Sequence, residues 1–418
     1  MKKHPGLIHT AEAIQTLVAR IRETCGGVFA FDTEFIREST FYPQVEIIQV
    51  ATRDESWLVD AAAFKTKRTS DLKEIRPLLD LFEDRSILKV LHAAQGDQEC
   101  LRTAFGVVAQ PSIDTAIAAS LCGMGDGIGL ASLLKSVMGI ELKKGHARTN
   151  WAQRPLPSHL EDYAHADVEY LVEAWEKLKA KLAEKGRADW AIDQSAKYED
   201  PELYEPTFEQ LARRLSKSGR MDRRSFHALL GLMKWREKRV QTLNIPRRWV
   251  ADDAVLVDIA QVKPKDVAHL STFRGLNKGE IQKSGQQIIE IVREARETDE
   301  SALPELVRGA RSEIPTPGES QAMDLLKCYV GILADQHDMA SRHILTSAQL
   351  VPLLRAADQT VEQWVEAGLV SPHVARIMGE DLRTFLRGEK GLTIARGNGG
   401  AASGRARVKI LDKSKPGG

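Results

Sequence analysis

Near residue 207 the chain changes its hydrophobic period, and this change limits the possible folds more than any other feature. Before it, short apolar runs alternate with helical patterns. Residues 28–33, 46–51 and 56–60 read as consecutive strands of one sheet, and 88–92 as another. Amphipathic stretches lie near 10–23, 71–83, 96–105, 114–122 and 129–138, and a long helix is predicted from about 159 to 184. Strand runs followed by alternating strands and helices predict an α/β domain over 1–206, a mixed central sheet flanked by helices. Beyond 207 strand patterns nearly vanish and a helical period takes over.

The helical half repeats itself. At an offset of 94 residues, Leu232, Trp235, Val250, Leu256, Leu270 and Ile288 meet Leu326, Tyr329, Ile344, Leu350, Trp364 and Leu382. Arg248 meets Arg342 and Gly285 meets Gly379, so the two copies share an Arg and a Gly 37 residues apart. Two related all-α domains are predicted, over 207–296 and 320–396. A linker at 297–319 carries Pro304, Pro315, Pro317 and Gly318. The tail 397–418, rich in Gly and then basic, is predicted to be disordered.

With 418 residues the chain is long enough for several cores, and 43% hydrophobic residues exclude global disorder. No apolar run approaches the ~20 residues that cross a bilayer, so no membrane association is expected. The start, Met1-Lys2-Lys3-His4-Pro5, lacks the apolar core of a secretory signal. Cys25, Cys100, Cys122 and Cys328 are scattered, which argues against a disulfide framework or a cysteine-rich zinc site and for the cytoplasm. The net charge of +1 hides a gradient: residues 1–206 carry −7, 207–296 carry +9, 317–396 carry −2 and the last 22 residues +4. Acidic and basic parts joined in this way suit an enzyme that handles polyanions, although uneven surface charge is also common without that role.

Three carboxylate motifs stand out. Phe31-Asp32-Thr33-Glu34-Phe35 ends the first predicted strand, where residues two apart face the same way. Asp32 and Glu34 thus present two carboxylates to one point, a plausible seat for a hard divalent cation. The apolar lead-in of Val28, Phe29, Ala30 and Phe31 implies a buried strand, where charge needs a partner or a metal. His92-Ala93-Ala94-Gln95-Gly96-Asp97 joins a strand to a helix; alone, Asp97 could merely favour the positive end of that helix. In the third motif Ser158 and Glu161 form a capping-box pattern, after which Tyr163 and Asp167 share one face with Leu160, Ala164 and Leu171.

Four acids and a Tyr in this order resemble the DEDD-type 3′-to-5′ exonucleases of the Tyr subclass, and among them the ribonuclease D family. The motifs map onto Asp32-Thr33-Glu34, Asp97, and Tyr163 with Asp167. Supporting stretches are Thr40-Phe41-Tyr42-Pro43-Gln44, Ile113-Asp114-Thr115 and Trp151-Ala152-Gln153-Arg154-Pro155-Leu156. The helical repeat resembles the HRDC domain through Trp235-Arg236, Asn244-Ile245-Pro246-Arg247 and Asp253, with a weaker second copy around Ala340-Ser341-Arg342 and Gly379-Glu380-Asp381-Leu382. The family usually has Asp where this chain has Asn150, which puts a local salt bridge or cap in doubt.

The resemblance implies a ribonuclease H-like exonuclease domain followed by two HRDC-like domains. It implies two divalent ions, Mg²⁺ or Mn²⁺, with Asp32 bridging both, Glu34 and Asp167 completing the first site, and Asp97 supporting the second. Two metal ions ~4 Å apart can activate water and stabilise charge at phosphorus. Tyr163 would orient the attacking water, a phenol being too weak a base at neutral pH. The implied substrate is RNA with a free 3′ end, transfer RNA precursors above all, cut to nucleoside 5′-monophosphates. No obligate protein partner is evident, and a monomer is the default.

Phe35 could stack on the terminal base or sit in the core; His92 and Gln95 lie beside the predicted metal seat, and His92 could equally be a structural histidine. Lys144 and Arg154 could contact phosphates or belong to a solvated loop, and Arg247, Arg248, Lys263 and Lys265 are candidates for holding an RNA backbone. Two rivals stay open: a DNA exonuclease of the helicase-associated type, and an inactive RNA-binding scaffold.

Overall fold

The computed structural model describes residues 6–64, 72–142, 149–216, 221–305, 315–396 and 406–412. Its first part is a five-stranded mixed sheet: β1 (Val28–Ile36), β2 (Gln44–Ala51), β3 (Ser56–Asp60), β4 (Leu88–Leu91) and β5 (Ser112–Asp114), in the order β3-β2-β1-β4-β5. β1, β2 and β3 pair antiparallel, whereas β4 is parallel to β1 and to β5. β5, absent from the expected strands, has three residues, too few to show an alternation. The helices here are α1 (Ala11–Thr24), α2 (Arg76–Glu83), α3 (Gln95–Phe105), α4 (Thr115–Leu121), α5 (Leu130–Met138), α6 (Ser158–Val168), α7 (Leu171–Glu184) and α8 (Ala188–Ala196).

Alternation along β1 sends Phe29 and Phe31 into one core with α1, α2 and α3, where Phe31 lies 4.7 Å from the Phe82 ring. Ala30 goes to the opposite face, against α4 and α7. Asp32 and Glu34 follow Ala30, and Thr33 follows Phe31. The long helix expected from 159 to 184 is two helices that break at Glu169 and Tyr170. α6 lies across β1, β2 and β3 while α7 packs on α4, α5 and β4, so one straight rod could not serve both. The expected capping box at Ser158 is also absent: Pro157 is the N-cap, and its carbonyl accepts the N–H groups of Leu160 and Glu161.

The helical half contains α9 (Phe208–Ser216), then α10 (Arg223–Leu243), α11 (Arg247–Val250), α12 (Asp253–Val262), α13 (Val267–Leu270) and α14 (Lys278–Glu297). A second set follows: α15 (Pro317–Gln336), a 3₁₀ turn at Ser341–His343, α16 (Ser347–Arg355), α17 (Val361–Glu366) and α18 (Pro372–Leu386). α10, α12, α13 and α14 start 94 residues before α15, α16, α17 and α18, so the repeat in sequence is a repeat in structure. Pro317 and Gly318, expected in the linker, form the first turn of α15, where Pro is tolerated and Thr316 with Glu319 makes a capping box.

The predicted disordered tail needs a correction. Ala406–Asp412 (β7), within that tail, pairs antiparallel with Lys390–Arg396 (β6), and Leu392 and Ile410, opposite each other in the register, pack on the second helical core; 397–405 and 413–418 lie outside the described residues.

The two helical sets meet the catalytic part differently. The first has its own core, reached from the catalytic part by Phe41. The Asn244 side-chain oxygen, at the left-handed C-cap of α10, accepts the N–H groups of Phe41 and Tyr42, each at 3.1 Å. The second shares one continuous apolar core with α4, α7 and α8. Polar ties reinforce it: Ser120 Oγ meets His343 Nε2 at 2.5 Å, and Arg187 donates to the carbonyls of Leu121 and Asp338.

The shared glycines have a physical reason. A Cβ on Gly285 would sit 3.2 Å from Val267 Cγ1, and one on Gly379 would sit 2.5 Å from Val361 Cγ1, the equivalent valine. Helix α18 approaches α17 at a distance that excludes a methyl group, and α14 approaches α13 closely enough that a methyl group would fit only if Val267 gave way by a few tenths of an ångström. Gly379→Ala should therefore lower thermal stability, overpacking of about 1–3 kcal/mol outweighing the ~1 kcal/mol gain in helix propensity. Gly285→Ala should cost less, and Val361→Ala should rescue Gly379→Ala. A Gly379→Ala protein that melts at or above the wild type would refute this packing.

Candidate active site

Asp32 and Glu34 lie on one face of β1, and α6 crosses that face with Asp167 toward them. Oxygen atoms of Asp32, Glu34 and Asp167 lie within 4.8 Å of one another. Asp97, in the first turn of α3, approaches from the other side of the strand. Its Oδ1 accepts the Thr33 N–H at 3.0 Å and the Thr33 hydroxyl at 2.6 Å. Asp97 also hydrogen-bonds Asp32, so the fourth carboxylate joins the cluster through β1 itself.

The electrostatics are those of a cation seat. Burial, followed by repulsion from Asp97, Asp167 and Glu34, raises Asp32 well above the usual carboxylate range. Burial and the charges of Asp167 and Asp97 push Glu34 up to about 8. Burial lifts Asp167 to about 7 and Asp97 to about 6, against the pull of their bonds to Tyr163 and Thr33. All-oxygen donors that resist joint ionisation fit a hard divalent cation. The Tyr163 phenol is also raised, by burial and then by Asp167, to which it hydrogen-bonds.

Further contacts hold these groups. Trp151 lies 6.1 Å from the Tyr163 ring and shares a small core with Ile47, Leu58, Leu156, Leu160 and Ala164. Ser56 Oγ meets His165 Nδ1 at 2.9 Å, tying α6 to β3. The Asp114 carboxylate accepts the N–H groups of Ala93 and Ala94 and caps α4 at Ala116. It thereby secures the turn into α3, where Ala93 adopts φ 60°. Asn150 Oδ1 accepts the Ala152 N–H at 3.2 Å, so the local cap survives the departure from Asp.

The structure separates the other candidates. Arg154 needs correction as a phosphate contact: its guanidinium grips both Asp60 oxygens at 2.7 Å and donates to the carbonyls of Trp151, Gln153 and Glu46. These bonds occupy its donors and clamp the loop to β3. His92 is likewise a structural histidine, with Nδ1 on Thr115 Oγ1 at 2.9 Å and Nε2 on the Ile128 carbonyl at 3.0 Å. Phe35 is 36% exposed, not a core aromatic, and Gln95 is exposed at the start of α3. Lys144 lies outside the described residues. In the first helical set Arg247 is paired with Glu237 and covers Phe41, and Lys263 bonds Ser225, whereas Arg248 and Lys265 remain exposed.

Sheet order, carboxylate cluster and helical repeat define a nuclease of the 3′-5′ exonuclease class. A family model for 3′-5′ exonuclease matches residues 6–183, and one for the HRDC domain matches residues 227–292. Ribonuclease D of Gluconacetobacter diazotrophicus is 33% identical over 85% of this chain and 90% of its own length. Ribonuclease D of Acidiphilium cryptum is 30% identical over 98% and 97%. The crystal structure of Escherichia coli RNase D, described as an exoribonuclease involved in structured RNA processing, superposes with a TM-score of 0.76 at 26% identity, over 92% of this chain and 98% of that one. The chain belongs to the ribonuclease D family, whose members are 3′-5′ exoribonucleases. Its fold is one that generally depends on divalent metal.

Thr33 is the functional neighbour that sequence inspection passed over. Thr33→Val keeps the shape and the backbone bond to Asp97 but removes the 2.6 Å hydroxyl contact. It should lower kcat or metal affinity by about 10–100-fold, as loss of a group supporting a metal ligand does, with KM for RNA unchanged. Activity within twofold of wild type, at equal thermal stability, would show that Thr33 does not position Asp97.

Proposed function

We propose that the chain trims RNA from a free 3′ hydroxyl, releasing nucleoside 5′-monophosphates, with transfer RNA precursors and other structured RNAs as clients. The proposal includes action in the cytoplasm as a monomer. One observation carries the chemistry: three carboxylates converge on one point, with a fourth joined to them through Thr33 and a tyrosine beside them. Asp32, Glu34, Asp97 and Asp167 would hold two divalent ions, Mg²⁺ or Mn²⁺. When bound, these ions supply an activated water and neutralise charge at the phosphate.

The chain's own groups do the rest. Tyr163, kept protonated by its raised pKa, hydrogen-bonds Asp167 and orients the water instead of deprotonating it. Phe35 stands exposed one residue past Glu34, positioned to stack on the terminal base. Gln95 can donate to the same nucleotide from the first turn of α3. Farther out, exposed Arg248 and Lys265 supply positive charge for the backbone, and Trp249, 45% exposed, adds a stacking surface. Among the described residues no helix is long and apolar enough to cross a membrane.

The test is a time course on 5′-labelled single-stranded RNA and its DNA counterpart, with Mg²⁺, Mn²⁺ or chelator, beside Asp32→Ala. The expected result is a metal-dependent ladder shortening from the 3′ end, faster on RNA and lost in the variant. Shortening of DNA alone would move the protein to the helicase-associated type. RNA binding without product under either metal would identify an inactive scaffold.

A further inference from the structure

Between the catalytic part and the second helical set lies a cavity of about 300 Å³ whose lining, among the described residues, contains cations and no carboxylate. One wall is the 3₁₀ turn Lys197–Glu199, which follows α8 and contributes Lys197 and Tyr198. The facing wall is the 3₁₀ turn Ser341–His343, which contributes Arg342 and His343. Thr346 and Ser371, the N-cap residues of α16 and α18, also line the cavity, so the positive ends of two helices open on the same space.

The cations are in mutual conflict. Lys197 Nζ lies 4.8 Å above the Tyr198 ring and makes no hydrogen bond or ion pair among the described residues. Arg342 has one acid, Asp126, at 2.6 Å. Burial and then Arg342 lower Lys197, and burial with both cations lowers His343 to about 4. His343 is neutral there, bonded to Ser120 of the catalytic part. The arrangement gathers two exposed cations at one cavity, Arg342 answered by Asp126 and Lys197 by no ion pair among the described residues, and an anion between them would give Lys197 a partner.

We infer that this cavity binds a small phosphate-bearing anion between Lys197 and Arg342, which fastens the second helical set to the catalytic part. The volume lies at the small end of ligand sites, about 300–1,000 Å³, enough for a mononucleotide. The Tyr198 ring, with Ile117 and Ile344, offers an apolar surface in the lining for a base. The site is separate from the carboxylate cluster: none of its lining residues belongs to the exonuclease motifs.

The test uses the full chain in chelator, so that the four carboxylates repel phosphate instead of recruiting it through metal. Thermal melting and calorimetry are run with potassium phosphate, adenosine 5′-monophosphate, adenosine, an RNA oligonucleotide, and potassium chloride at matched ionic strength. Phosphate and the monophosphate should raise Tm saturably, while adenosine and chloride should not. Lys197→Met and Arg342→Gln should each weaken binding at least tenfold, and Lys197→Arg should retain it. Without ligand, Lys197→Met should melt at or above the wild type because a repulsion is removed. Tighter binding of the monophosphate than of phosphate identifies a nucleotide site; equal binding identifies a free-phosphate site. No saturable shift, equal binding by both charge-removing variants, or a shift with RNA alone would overturn the inference.

Discussion

Four carboxylates in one half-buried space repel each other, and the catalytic fold is arranged to hold them together against that repulsion. Asp32 and Glu34 cannot move apart because β1 is the central strand, clamped by β2 and β4 and anchored through Phe29 and Phe31. Asp97 is restrained by two hydrogen bonds from Thr33, and its helix by Asp114 beneath the turn. Asp167 arrives on α6, fixed by the Ser56–His165 contact and the Trp151 core. Burial first, and for Asp32, Glu34 and Asp167 the neighbouring carboxylates as well, raises the pKa of all four acids. A divalent cation converts that repulsion into attraction, so the geometry is ready before any ligand arrives.

Much of this was legible in the sequence because it rests on short-range periodicity. The two-residue spacing of Asp32 and Glu34 on an apolar strand, and the four-residue spacing of Tyr163 and Asp167 on a core-facing helix, fix their directions locally. The supports were not legible, because they join distant segments. Thr33 meets Asp97 across 64 residues, and Arg154 meets Asp60 across 94. Nothing in a local window separates an arginine that clamps a loop from one that holds a phosphate. The break between α6 and α7 has the same origin: both halves are good helix, and only their different packing partners separate them. In the tail, glycines suggested disorder, but the alternating residues that follow them found a partner strand.

The two helical copies show how one skeleton serves two surroundings. Their helices start 94 residues apart, and both keep a glycine under the same valine. Their surfaces have diverged. The first retains a buried Arg236 paired with Asp253 and Glu237, its own closed core, and exposed cations on the outside. The second has surrendered one face to the catalytic part and is continuous with its core. Charge follows from this, because a surface buried against a neighbour has little use for solvated lysines.

Asn244 gives the first copy its bearing on the catalytic centre. In the left-handed conformation, φ 50°, it terminates α10, and its side-chain oxygen holds the N–H groups of Phe41 and Tyr42. Those two residues lie in the loop that leaves β1 just after Glu34 and Phe35. The cation–π contact of Arg247 on Phe41, at 4.7 Å, fixes the same loop a second time. Only a few residues of backbone therefore separate the anchor of the basic helical set from the end of the carboxylate-bearing strand. Under the proposed function, a polyanion held by the exposed Arg248 and Lys265 would be placed in a defined relation to Phe35 and the carboxylate cluster. Positive charge held on a loose tether would raise affinity without supplying that relation.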